Sequence, residues 1–112
     1  MKSVIIAAFT VAVGTAAAVA QSAMPMTPAA KANEAAMSKM MDSMKGDKKM
    51  TGDADKDFVM MMLPHHQGAI DMAKVELQFG KDPAMKKMAG EIVAAQQKEI
   101  ESMKAWQAKN PM

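Results

Sequence analysis

From Ala29 to Trp106, hydrophobic positions recur every three or four residues, the interval that lays a stripe along an α-helix. Met37, Met40, Met41 and Met44 stand at i, i+3, i+4 and i+7. Val59, Leu63, Ile70 and Leu77 form an aliphatic arc further along. Met85, Met88, Ile92, Gln96, Ile100, Met103 and Trp106 make a third stripe, which reads as a conventional packed face with Glu99 on its margin. Punctuation bounds each stripe. Thr27-Pro28 supplies an N-cap and a proline at the first helical position, and Gly46 fits a left-handed position just past Lys45. GDKKMTGD, residues 46–53, is polar and carries no period. Asp53 or Asp55 caps a second helix that stops at Gly80, and Asp82-Pro83 opens a third that ends near Lys109, before Asn110-Pro111.

No alternating stretch competes, and Val and Thr are sparse after residue 27, so the predicted class is all-α. The short link between helices two and three makes a long antiparallel hairpin, with the shorter first helix laid against it. The pattern also allows a second arrangement, in which two chains pair to complete a four-helix bundle.

The N-terminus follows a different rule. MKSVIIAAFTVAVGTAAAVA has one charge, Lys2, then an apolar run ending in Ala18-Val19-Ala20. That predicts a signal peptide over residues 1–20, cleaved after Ala20, and a periplasmic or secreted protein. The uncharged run from residue 4 to residue 20 is at the short edge of a spanning helix, so an uncleaved membrane anchor is the alternative. Residues 21–27 read as a disordered lead-in, and residues 28–112 as one helical domain.

Composition now narrows the function. Without Lys2 the formal charge falls from +2 to +1, which offers nothing to nucleic acid or an anionic membrane. There is no cysteine, so a small exported domain must rely on packing, association or a ligand instead of disulfides. The 15 methionines after residue 20 outnumber the 11 residues of Ile, Val, Leu, Phe and Trp together. Methionine fills irregular cores, and for most of them packing is the expected role. A core left to methionine nevertheless specifies structure poorly. Thioether sulfur offers a second cause for the bias, as a soft ligand for Cu(I).

Both histidines of the chain lie in MMMLPHHQGAIDM, residues 60–72. Met62 stands one turn before His66, and Met61 one turn before His65 with Met72 seven residues after it. A thioether and an imidazole one turn apart can chelate one ion, whereas adjacent histidines on an unbroken helix diverge by about 100°. Pro64 removes a helical hydrogen bond and predicts a kink at the histidines, which either turns His65 and His66 toward a common interior or frees the Met60 carbonyl; otherwise it starts a new helix, the segment before it being separate. Thioether plus imidazole suits Cu(I), with Ag(I) as its analogue, and Cu(II) at the histidines stays open. Outside the cytosol a thioether also escapes the oxidation that overtakes a thiolate.

Residues 55–106, DKDFVMMMLPHHQGAIDMAKVELQFGKDPAMKKMAGEIVAAQQKEIESMKAW, closely resemble a bacterial family catalogued as a domain of unknown function, which includes CopM-type periplasmic copper-binding proteins. Phe58, the run at 62–73, and the Gln96, Glu99, Met103, Trp106 spacing carry the likeness, and HHQGAIDMA is its most specific part. The resemblance implies a ferritin-like helical bundle and a secreted copper-tolerance protein that also takes silver. It implies His65, His66, Met62 and Met72 as metal ligands, with Met37, Met40, Met41 and Met44 as further ones; Met61 joins on its helical position alone. A copper exporter or another envelope copper protein is the expected partner.

Two other classes compete. A di-iron oxidase would need Glu-x-x-His pairs, but Met62 and Leu63 occupy the positions three residues before His65 and His66. A metal-free helical interaction module, or a methionine-based oxidant sink, would bind no silver and would not depend on the histidines. No enzyme is expected, because no cysteine nucleophile, serine–histidine arrangement or glycine-rich phosphate loop is present.

Overall fold

The computed structural model describes residues 25–46 and 49–112, so the expected signal peptide and most of the expected lead-in lie outside the described residues. The protein is an all-α helical bundle of α1 (Pro28–Lys45), α2 (Ala54–Phe79) and α3 (Pro83–Lys109), with no strand among the described residues. None of these helices is long and apolar enough to cross a membrane.

The predicted caps form as hydrogen bonds. Thr27 Oγ1 accepts from Ala30 N at 3.1 Å, and Asp82 Oδ1 from Met85 N at 2.9 Å. Asp53 Oδ1 takes the N–H groups of Asp55 and Lys56 at 3.0 and 3.2 Å, which settles the choice of cap for α2. Asn110 closes α3, its backbone N–H and side-chain amide both donating to the Trp106 carbonyl. One expectation fails: Gly46 has φ −52°, outside the left-handed region, and the chain leaves α1 in an extended conformation instead. The positive φ lies within the loop, at Gly52 (φ 84°). Pro64 does not start a new helix, because α2 runs unbroken through it.

α2 is the shared element. α3 returns along it as an antiparallel hairpin partner, and α1 packs on it alone, making no close backbone approach to α3. The core is a thin seam of Val59, Met60, Ile70, Ala73, Ala89 and Ile100, with Ala36 from α1. Small residues let the axes come close. At Gly68 an added Cβ would lie 2.7 Å from Cγ and 3.0 Å from Cβ of Met40, so α1 rests directly on that glycine. Lys39 and Asp71 pair across the same contact at 3.7 Å.

This arrangement corrects the expectation that most methionines fill the core. Met60 is the one buried methionine among the described residues, while Met26, Met37, Met41, Met44, Met50, Met61, Met72, Met85, Met88 and Met112 are exposed. Met85 and Met88 were expected on the packed face of α3. Their turns face Ala73 and Glu76 across an open groove, because α1 does not reach far enough to cover them. Leu77 at the end of the aliphatic arc is exposed for the same reason.

Candidate functional site

Pro64 has no N–H, so the carbonyl of Met60, four residues earlier, loses its helical donor. Around these two residues a cavity of about 100 Å³ opens between the last turn of α1, the start of α2 and the segment joining them. Its lining is Met44 from α1, Met50 from the connection, and Met60, Met61 and Pro64 from α2. One water needs only about 10–15 Å³ on this measure, so a single ion fits with room to spare. Among the described residues, no carboxylate, imidazole or hydroxyl lines the cavity. Four methionines from three segments of chain therefore line one space.

The histidines lie on the next turn and part company. His65 is exposed and His66 is 7 % exposed, their ring centroids 6.2 Å apart and the planes at 61°. Helical divergence explains this, since α2 is unbroken and about 100° separates neighbouring side chains. His66 is fully engaged: Nδ1 donates to the Met62 carbonyl at 2.9 Å, and Nε2 meets Glu99 Oε2 on α3. Because a carbonyl only accepts, the Nδ1 proton is assigned. Metal-ligating histidines commonly hold one ring N–H on such a carbonyl and ligate through the other nitrogen. Here Glu99 occupies the second nitrogen, from a side chain that is 57 % exposed and has room to move away.

The expected ligands thus fall into three sets. Met44 and Met61 are brought together, with Met50 and Met60 added. Met62 contributes its carbonyl to His66, and Met40 packs on Gly68. Met37, Met41 and Met72 are exposed and do not line the cavity. Among the described residues, no three His, Cys, Asp or Glu side chains gather as a metal ion would need. Sequence periodicity missed Met60 because it lies off the wheel positions shared with the histidines. Met50 was invisible to it, sitting in a segment with no period at all.

Thr51 and Gly52, at the end of the connection, are held by Asp57. Its Oδ1 accepts from Thr51 N at 2.7 Å and from Thr51 Oγ1 at 2.8 Å, and its Oδ2 accepts from Gly52 N at 3.1 Å. The Thr51 backbone N–H, helped by the hydroxyl and Gly52 N–H, holds the Asp57 carboxyl below the ordinary carboxylate range and outweighs the opposing effect of desolvation.

Residues 7–107 match the family model described as Domain of unknown function (DUF305). A 49-residue stretch is 43% identical to the uncharacterized protein L153 of Acanthamoeba polyphaga mimivirus, covering 44% of this chain and 32% of that protein. The chain therefore matches about a third of that relative's length. With most of its length matched by the family model, the chain belongs to the DUF305 family.

Proposed function

We propose that this protein binds Cu(I), with Ag(I) as a chemical analogue, and holds or hands on the ion in the cell envelope, contributing to copper tolerance without catalysing a reaction. The observation that carries the reading is the cavity at Pro64, lined by methionines from both α1 and α2. Soft thioether sulfur selects Cu(I), whereas hard cations seek oxygen donors, of which the described lining side chains have none. Thioethers bind without losing a proton, so a neutral pocket of this kind takes a monovalent cation with no exchange of protons.

In this reading Met44, Met60 and Met61 retain the ion, and His66 joins them once Glu99 swings aside. His65, Met72, Met37 and Met41 are exposed donors suited to first capture. Met40 and Met62 are half-buried beside the Gly68 contact and the His66 ring, which makes packing their first role. Export through the leader and transfer to an exporter or another envelope copper protein complete the proposal. Both rest on the leader pattern and on the resemblance to CopM-type proteins.

The test is an Ag(I) titration of the purified protein. Met60→Leu and Met61→Leu should each weaken binding about tenfold, equivalent to about 1.4 kcal/mol per lost donor. Leucine keeps the volume, so helicity should hold. Met85→Leu and Met88→Leu serve as controls and should bind like the parent. Equal affinity across the whole set would overturn the reading.

A second reading has its own support. Ten methionines are exposed among the described residues, and thioethers convert reversibly to sulfoxides, so the protein is alternatively an oxidant sink. That reading predicts no stoichiometric silver binding and even oxidation of the exposed set by peroxide.

A further inference from the structure

Met50 is the anomaly of the cavity. It belongs to no helix and its side chain is largely exposed, yet it lines the same space as Met44, Met60 and Met61. Something must hold residue 50 there against the freedom of a loop. The hydrogen bonds identify Asp57. Its two carboxylate oxygens accept three bonds from Thr51 and Gly52, the two residues that follow Met50. Asp53 N donates back to Thr51 Oγ1 at 3.0 Å, and Gly52 at φ 84° supplies the turn that a side chain would strain.

Ordinary helix capping does not account for this carboxylate. Asp53 already caps α2 through the N–H groups of Asp55 and Lys56, and all three bonds to Asp57 come from outside the helix. Asp57 stands one helical turn before Met61, so the bracket fixes the chain immediately above the thioether cluster. The two helices supply three thioethers and leave the fourth side of the cavity to whatever the connection presents.

We propose that Met50 is the closing ligand of the soft-metal site and that Asp57 is its positioning residue, acting through Thr51 and Gly52. The proposal rests on the Cu(I)/Ag(I) reading above and extends it to two residues that periodicity and resemblance leave unassigned. Outer partners that orient a ligand are worth about 10–100-fold in metal affinity, so Asp57 should matter although it never touches the ion.

The experiment is an Ag(I) titration of the full chain carrying ¹³C-methyl methionine, followed by calorimetry and NMR. Met50→Leu and Asp57→Asn should each weaken binding about 10–100-fold. The double variant should lose no more than Met50→Leu alone, because positioning has no value once the ligand is gone. Asp55→Asn, which removes the same charge from the same turn without touching the loop, should bind normally. Thr51→Val keeps the charge and removes the hydroxyl's bonds to Asp57 and Asp53, and should weaken binding in the same direction if Asp57→Asn disturbs folding. In the parent the Met50 methyl signal should shift on silver addition, and in Asp57→Asn it should not. Parental binding by Asp57→Asn, additive losses in the double variant, or shifts at Met44, Met60 and Met61 without Met50 would overturn this inference alone. A parent chain that takes up no silver would instead remove the metal-binding reading on which it stands.

Discussion

His66 can place its Nδ1 proton only one way, because the Met62 carbonyl accepts and cannot donate. That single bond orients the ring toward α3, where Glu99 meets it. The one-turn spacing of Met62 and His66 was legible in the sequence, but its meaning was not: the backbone oxygen of Met62, not its sulfur, is what the ring finds. Glu99 stood on the margin of the third stripe, and only the register of α3 against α2 puts it opposite His66. Asp57 draws no role from periodicity or from the capping signals. Its lowered carboxyl pKa, caused first by the Thr51 N–H, makes a pH prediction with a definite sign. A group held below its unfolded value of 3.8 adds stability that is complete above that value and is lost as pH falls through the lower folded one. Amide protection at Thr51 and Gly52, followed by NMR on acidification, should therefore collapse below about pH 4. Asp57→Asn should remove that acid step while leaving the rest of α2 unchanged, and an identical acid profile in the variant would contradict the bracket.

At the scale of the helix, boundaries were the most readable feature, because each is written in a local code of Thr27-Pro28, Asp53 and Asp82-Pro83. Gly46 was misread for a related reason. Glycine permits the left-handed turn but does not impose it, and Gly46 itself adopts a negative φ of −52°. What no helical wheel reveals is the contact between helices, and Gly68 is the clearest case. Inside a helix glycine costs about 1 kcal/mol against alanine, so Gly68→Ala ought to stabilise α2 in isolation. The Met40 side chain, whose Cγ would be 2.7 Å from the new methyl, reverses that sign. Overpacking costs about 1–3 kcal/mol, and we expect Gly68→Ala to lose about 1 kcal/mol net in urea unfolding. Adding Met40→Ala should return the loss and leave the helix gain visible. Stabilisation by Gly68→Ala alone would show that α1 does not rest there.

For the molecule as a whole, the class and the three-helix order followed from pattern alone, while the placement of sulfur did not. Amphipathic stripes predict which face of a helix packs, on the assumption that a neighbour covers it. With α2 shared and α1 held away from α3, several stripes have cover along only part of their length. Ile70 and Ile100 take the buried positions, and methionines hold the rims. That is why the stripe of Met37, Met40, Met41 and Met44 divides between open surface, the Gly68 contact and the cavity. The sulfur surplus is therefore no core device, and in the proposed reading its use is the cavity that methionines of α1, the connection and α2 line together. The most direct measurement of that claim is copper K-edge X-ray absorption on the purified protein loaded with one equivalent of Cu(I). We predict a first shell dominated by sulfur, weakened when Met60 and Met61 are both changed to leucine. A shell of nitrogen and oxygen alone, unaffected by those changes, would contradict it.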